Sequence, residues 1–204
     1  MKRHPRIKIC GITRPEDARR AAELGADAIG LVFVERSPRC VTVEVAREIC
    51  RALPPLVGAV GLFMDAEPER VRSIAGAVPL NWLQFHGSES DAYCRAFSRP
   101  WIKAVPMGDT QRPDFSAWPG ADALLLDAHE AGGLGGTGRR FDWQRLSRPD
   151  RPWILAGGLN PENVREAVER LDPPAIDVSS GVESSPGIKD GNLMSRLIEG
   201  ARNG

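Results

Sequence analysis

WILAGGLNPENVREAVERLDPPAIDVSSG, residues 153–181, contains one full copy of the unit from which the whole chain is built. A short apolar run, WILAG, turns over a glycine pair into PENVREAVERL, whose apolar residues recur at helical spacing with charges between them. A β-branched run, AIDVSSG, then begins the next unit. Asn160-Pro161 reads as an N-cap with proline at the first helical position. Two strands joined through a helix run parallel, so this stretch predicts a β-α-β crossover.

The same rhythm extends to both sides. Apolar or β-branched runs occur as IKIC, AIGLVF, LVGAVGLF, WLQFH, WIKAVPM and ALLLD before the two already quoted. Helical patterns fall between them as PEDARRAAELG, TVEVAREICRAL, EPERVRSIAGAV and SDAYCRAF, and GNLMSRLIEGA closes the chain. Thr13 and Glu16 have capping-box spacing, and Gly25 stands where a helix C-cap is expected. The unit after the fifth strand, GDTQRPDFSAWPGAD, has little helical period, and the next has a long glycine-rich loop before DWQRL. Eight strands at roughly 25 residues per unit predict a compact single-domain (β/α)8 barrel over residues 1–204, since such barrels typically need ~250 residues.

Composition narrows the function classes. The chain has 204 residues with 27 basic and 27 acidic side chains, so no net charge favours nucleic acid or an anionic membrane as partner. No apolar run approaches the ~18 residues a spanning helix needs. The basic start, MKRHPRIK, leads into no apolar h-region, and the four cysteines form no CxxC pair. The expectation is a cytoplasmic protein with reduced thiols.

In such barrels the functional residues lie at the C-terminal ends of the strands, where Cys10, His86, Asp127 and Ser179 fall here. Side-chain alternation places Lys8 and Cys10 on one face of the first strand and Ile7 and Ile9 on the other. If the isoleucines face the helices, Lys8 and Cys10 point into the barrel, as do Gln84 and His86 on the fourth strand and Asp127 on the sixth. Asp177 points inward on the eighth. A lone strand cysteine is more often an inert core thiol, and a buried histidine is as often a packing residue as a site residue. A carboxylate ending an apolar run is costly unless it is paired or useful.

Three glycine-rich stretches lie in the last third: Gly132–Gly138, Ala156–Val164 and Ser179–Gly187. Loops after the seventh and eighth barrel strands often bind phosphate, and glycine exposes consecutive N–H groups to it. Gly136, Gly157, Gly158, Ser179, Ser180 and Gly181 are the candidate phosphate residues. Arg39, in SPR just past the second strand, suits a carboxylate, with Arg36 as a second anion contact. Arg39 on its own reads better as a solvated surface residue.

Taken in order, KICGIT, GADAIGLVFVERSPR, LQFHG, ALLLD with GGTGRRFDW, ILAGGLNPENV and DVSSGVESSPGIKD resemble the phosphoribosylanthranilate isomerases of tryptophan biosynthesis. The resemblance runs from Lys8 to Asp190. It implies a monomeric or homodimeric (β/α)8 barrel without cofactor or metal, acting on a phosphorylated sugar-anthranilate. The family's general base falls on Cys10, its general acid on Asp127 and its anthranilate-carboxylate arginine on Arg39. Gln84, His86 and Asp177 are taken as further substrate contacts. Phe85 departs from the aliphatic residue expected in that block.

The implied Amadori rearrangement needs an acid to open the furanose ring and a base to remove the C2 proton. With ordinary pKa values, the state with thiolate and protonated carboxyl together would be only about 10⁻⁵ of the enzyme. Nearby cations, Lys8 first among them, are expected to favour the thiolate, and Gly11 behind the cysteine to leave room for the ligand. The rival readings are a histidine-pathway aminoaldose isomerase using two aspartates, a sugar-phosphate epimerase, and a silent barrel that only binds a ligand or partner. Cys10 at the first strand end argues against the two-aspartate pattern.

Overall fold

The computed structural model describes residues 4–107, 114–128, 146 and 148–204. Eight parallel strands close into a barrel in chain order: β1 Arg6–Cys10, β2 Ala28–Val32, β3 Gly58–Phe63, β4 Trp82–Phe85, β5 Trp101–Pro106, β6 Ala123–Asp127, β7 Trp153–Leu155 and β8 Ala175–Val178. Each run read as a strand forms one. The barrel closes through β1 and β8, with Lys8 level with Asp177.

Among the described residues, six α-helices follow the predicted pattern: α1 Pro15–Leu24, α2 Val43–Ala52, α3 Pro68–Ala77, α4 Asp91–Arg95, α5 Val164–Leu171 and α6 Gly191–Arg202. In the unit without helical period, the described residues form a 3-10 turn, Phe115–Ala117. A small antiparallel pair, β9 Glu183–Ser185 and β10 Ile188–Lys189, extends the loop after β8. No helix among the described residues is long and apolar enough to cross a membrane.

Two helix-start expectations need correction. Thr13 does not cap α1: the N-cap is Arg14, which makes no side-chain cap, and the Thr13 hydroxyl donates to the Gly187 carbonyl at 2.5 Å. A long-range partner has outcompeted the local one. Asn160 does not begin α5, which starts at Val164. Its Oδ1 instead accepts from the Glu162 and Asn163 N–H groups, capping a turn that precedes the helix. Gly25 does end α1, at φ +102°.

Strand parity separates two apolar layers. Ile7, Ile9, Ile29, Leu31, Phe63, Leu83, Phe85, Leu124 and Leu126 pack outward into the main core. Val60, Ile102, Ala104, Ala123, Leu125, Ile154 and Ala156 fill the barrel interior. Phe85 uses its ring in that outer layer, 5.6 Å from Phe97, 5.7 Å from Tyr93 and 6.2 Å from Trp101, centroid to centroid. The aromatic departure is therefore a packing feature, facing away from the mouth. The apolar interior plugs the barrel centre, leaving polar side chains to gather at the strand C-termini.

Candidate active site

The β1 alternation brings Lys8 and Cys10 into the barrel, as the sequence predicts. Lys8 Nζ donates to Asp177 Oδ1 at 2.8 Å, and both side chains are buried. Space for them comes from Gly30 on β2. A Cβ there would lie 2.6 Å from Cys10 Sγ and 3.1 Å from Lys8 Nζ. Any larger residue at that register would displace one or both.

The electrostatics around Cys10 differ from expectation. Burial pushes its thiol above the ordinary range, Lys8 and Lys189 pull it down, and Asp177 adds to the push. The net direction is upward, so the thiolate is not favoured in this arrangement: desolvation outweighs the cations. Burial opposes the charge on Lys8, yet Asp177 and Cys10 hold its ammonium well above the usual lysine value. Burial raises the Asp177 carboxyl against the pull of Lys8, and Asp127 adds to the rise.

Gly11 adopts φ +75°, and a Cβ there would meet Arg39 Cδ at 2.5 Å and Ser179 Oγ at 3.0 Å. The space behind Cys10 is thus filled by the Arg39 stem and Ser179, and it is not room for a ligand. Arg39 is held from the other side. Its Nε and Nη2 donate to Glu183 at 2.9 and 2.8 Å, and Lys189 Nζ donates to the same carboxylate at 2.7 Å. Burial would raise Glu183, but the two cations outweigh it and hold its carboxyl below the usual glutamate range. This bidentate grip uses one edge of the guanidinium and leaves its Nη1/Nη2 edge available to a second carboxylate.

Across the mouth, Asp127 ends β6 and His86 follows β4. His86 Nε2 lies 3.5 Å from Asp127 Oδ2, and Gln84 Nε2 lies 3.3 Å from His86 Nδ1. With the Gln84 amide nitrogen donating, Nδ1 accepts and the ring proton sits on Nε2, facing the carboxylate. Gln84 is almost fully buried. Arg36 lies apart from this group, near Met64 Sδ on the exposed rim.

The glycine loops after β7 and β8 converge. Gly157 and Gly158 take φ +82° and +66° in succession. A Cβ on Gly181 would lie 1.9 Å from the Leu159 carbonyl oxygen, so the two loops touch there. Ser180–Val182 forms a 3-10 turn directly after β8. Buried Asn163 staples the first loop, donating to the Gly158 carbonyl and accepting from the Asn160 N–H. Among the described residues, no acceptor takes the N–H groups of Gly158, Ser180 or Gly181. Ser179 lies between this cradle and Arg39, and its carbonyl accepts from Lys189. Gly136 lies outside the described residues.

Glu183, Lys189 and Asn163 escaped sequence reading. The first two look like solvated charges in a polar loop; their partner lies 144 positions away on Arg39 or in the turn itself.

A closed parallel barrel with acid–base groups gathered at one mouth belongs to the (β/α)8 enzyme class. The family model for N-(5'-phosphoribosyl)anthranilate isomerase matches residues 7–200, and the chain belongs to that family. It is 52% identical to the N-(5'-phosphoribosyl)anthranilate isomerase of Acidithiobacillus ferrooxidans, over 97% of each chain. It is also 52% identical to that of Thiobacillus denitrificans, over 97% of this chain and 98% of the relative. The crystal structure of the Thermus thermophilus phosphoribosyl anthranilate isomerase superposes with a TM-score of 0.86 at 40% identity, covering 96% of this chain and 97% of that one. Another solved isomerase, in complex with reduced 1-(o-carboxyphenylamino)-1-deoxyribulose 5-phosphate, superposes at 0.81 with 38% identity, covering 98% and 99%.

Proposed function

We propose that the chain converts N-(5'-phosphoribosyl)anthranilate to 1-(2-carboxyphenylamino)-1-deoxyribulose 5-phosphate, a step of tryptophan biosynthesis, with Asp127 as general acid and Cys10 as general base. The observation that carries the assignment is the separation of two environments at one mouth. Cys10 on β1 is grouped with the cations Lys8 and Lys189, while Asp127 on β6 faces the His86 imidazole, with Nε2 at 3.5 Å. A sugar bound between them would meet the acid from β6 on one side and the base from β1 on the other.

The substrate's phosphate lies on the Gly157–Gly158 and Ser180–Gly181 N–H groups. Its anthranilate carboxylate meets the outer edge of Arg39, which Glu183 orients. Asp127 then protonates the furanose oxygen, and the C1–O bond breaks to give an iminium. The His86 N–H stabilises the carboxylate that forms. The iminium places a positive charge one bond from C2. Together with Lys8 and Lys189 it favours ionisation of Cys10, whose thiol proton passes to solvent, at the step that needs the thiolate, offsetting the burial penalty. Cys10 takes the C2 proton, and the C–H electrons form the C1–C2 double bond as the iminium π pair returns to nitrogen. The enaminol then loses its hydroxyl proton and gains one at C1.

Turnover of N-(5'-phosphoribosyl)anthranilate by wild type, Cys10→Ser and Asp127→Asn tests the reading. Each variant should fold normally and lose at least about 10²-fold in kcat. Their combined loss should fall well short of additive, because the two groups serve one reaction. A folded Cys10→Ser enzyme within about threefold of wild type would make the cysteine a core thiol, since a serine hydroxyl cannot replace a thiolate base.

A further inference from the structure

A buried charge pair outside the barrel wall takes no part in the mechanism above. Lys103 on β5 has the parity of Trp101 and Val105, which face the outer core, while Ile102 and Ala104 face the interior. Its side chain is 1% exposed and that of its partner Glu89 2%. A methionine or leucine at this position would continue the apolar layer without the cost of desolvating two ions. The charge therefore points to a geometric task.

The contacts show what that task would be. Lys103 Nζ donates to the Phe85 carbonyl at 3.3 Å, the Gly87 carbonyl at 2.5 Å and Glu89 Oε2 at 3.1 Å. An ammonium has three protons, and all three are used. The Phe85 carbonyl belongs to the peptide before His86 and the Gly87 carbonyl to the peptide one residue beyond it, while the peptide between His86 and Gly87 is held through the Gly87 N–H by Glu89. Glu89 fixes the ammonium in turn. Its Oε2 accepts from the Gly87 N–H at 2.9 Å, and its Oε1 accepts from the Asp65 N–H at 2.8 Å in the loop after β3. Trp118 closes the back, donating to the Glu89 carbonyl with its ring 5.3 Å from Lys103 Nζ.

We propose that Lys103 and Glu89 are positioning residues for the reaction: they clamp the backbone on both sides of His86 and so aim its imidazole at Asp127. The catalytic consequence rests on the reading of Asp127 as the acid; the aim of the ring does not. A ring already oriented toward the carboxylate spares the reorientation that would otherwise accompany proton donation.

The test is the charge-free pair Lys103→Met/Glu89→Gln, compared with wild type and with His86→Gln, alone and combined. In the folded double variant, kcat should fall about tenfold while KM stays within about threefold, the pattern of lost transition-state stabilisation. Combining it with His86→Gln should add little further loss. Nitrogen-15 spectra of the imidazole should show the Nε2–H tautomer fixed in wild type and averaged in the variant. If the pair variant does not fold, Glu89→Gln alone, which keeps the shape and one oxygen acceptor but puts an NH2 in place of the other, should move the tautomer and kcat in the same directions. Unchanged kcat and ring signals in a folded variant overturn the proposal, as does full additivity with His86→Gln. An Asp127→Asn enzyme that retains activity would remove the acid assignment, while the ring spectra would still judge the clamp.

Discussion

Replacing Asp177 with asparagine should make Cys10 easier to ionise, although it removes a buried partner of the neighbouring lysine. A Cβ on Gly30 would lie 2.6 Å from Cys10 Sγ and 3.1 Å from Lys8 Nζ, so those two atoms are separated by at most the sum, about 5.7 Å. Asp177 Oδ1 is a further 2.8 Å from Nζ, which places it within about 8.5 Å of the sulfur. At an effective dielectric near 20, two like charges at that limit repel by about 2 kcal/mol, equivalent to about 1.4 on the pH scale. The variant removes the carboxylate that chiefly holds Lys8 high, but the ionising Cys10 and an amide oxygen remain beside its ammonium, and the limb moves down only while Lys8 keeps its proton. The base limb of kcat/KM, governed by a thiol that burial has raised, should therefore move to lower pH by about that amount. The plateau itself can drop if the carboxylate contacts a sugar hydroxyl, so the position of the limb is the readout. A profile over about pH 6 to 11, paired with the pH dependence of iodoacetamide labelling at Cys10 resolved by peptide mass from Cys40, Cys50 and Cys94, measures it twice; the position-10 label should vanish in Cys10→Ser. A limb that stays within about 0.3 of its original position, or moves upward, would refute the electrostatic coupling.

Glu183→Gln should lower Tm at neutral pH by the equivalent of about 3 kcal/mol, because it leaves Arg39 and Lys189 facing a neutral group. The folded carboxyl is held below its ordinary value of 4.5, so its contribution is complete above that value and lost as pH falls through the folded one. The Tm gap between wild type and variant should accordingly close in acid, and a gap that is constant from pH 7 to below about 4 would contradict the assignment. Gly157→Ala places a Cβ 2.4 Å from the Ala128 nitrogen at φ +82°, costing at least about 1–2 kcal/mol of stability. KM should rise more than kcat falls, and affinity for inorganic phosphate should drop in calorimetry; unchanged KM would move the phosphate elsewhere.

The features legible in the sequence are the periodic ones. Strand parity assigned Lys8, Cys10, Gln84, Asp127 and Asp177 to the interior because alternation is a local property of the backbone. The weak helical period after β5 was visible for the same reason, and the described residues there hold a 3-10 turn. What stayed hidden depends on partners distant in sequence. Lys103 reads as one charged residue in an apolar strand, and only the closed barrel brings Glu89 and the carbonyls beside His86 to it. Thr13 looked like a cap until Gly187 took its hydroxyl. The upward push on Cys10 was hidden too, since cations can be counted in a sequence whereas desolvation appears only once the walls are packed.

The Lys8–Asp177 bond joins residues 169 positions apart, across the seam where the first strand meets the last. During synthesis, Lys8 emerges early and its counter-charge among the last strands to be made. Until β8 docks, β1 is an open sheet edge and the ammonium must remain hydrated. Drying the mouth and closing the ring are therefore one late event, governed by a long loop closure. A nascent or truncated chain ending before residue 175 would carry Cys10 with neither its neighbouring carboxylate nor Lys189. Such a chain should display the reactivity of an exposed thiol, so a thiol-specific label applied during refolding would time the closure of the barrel.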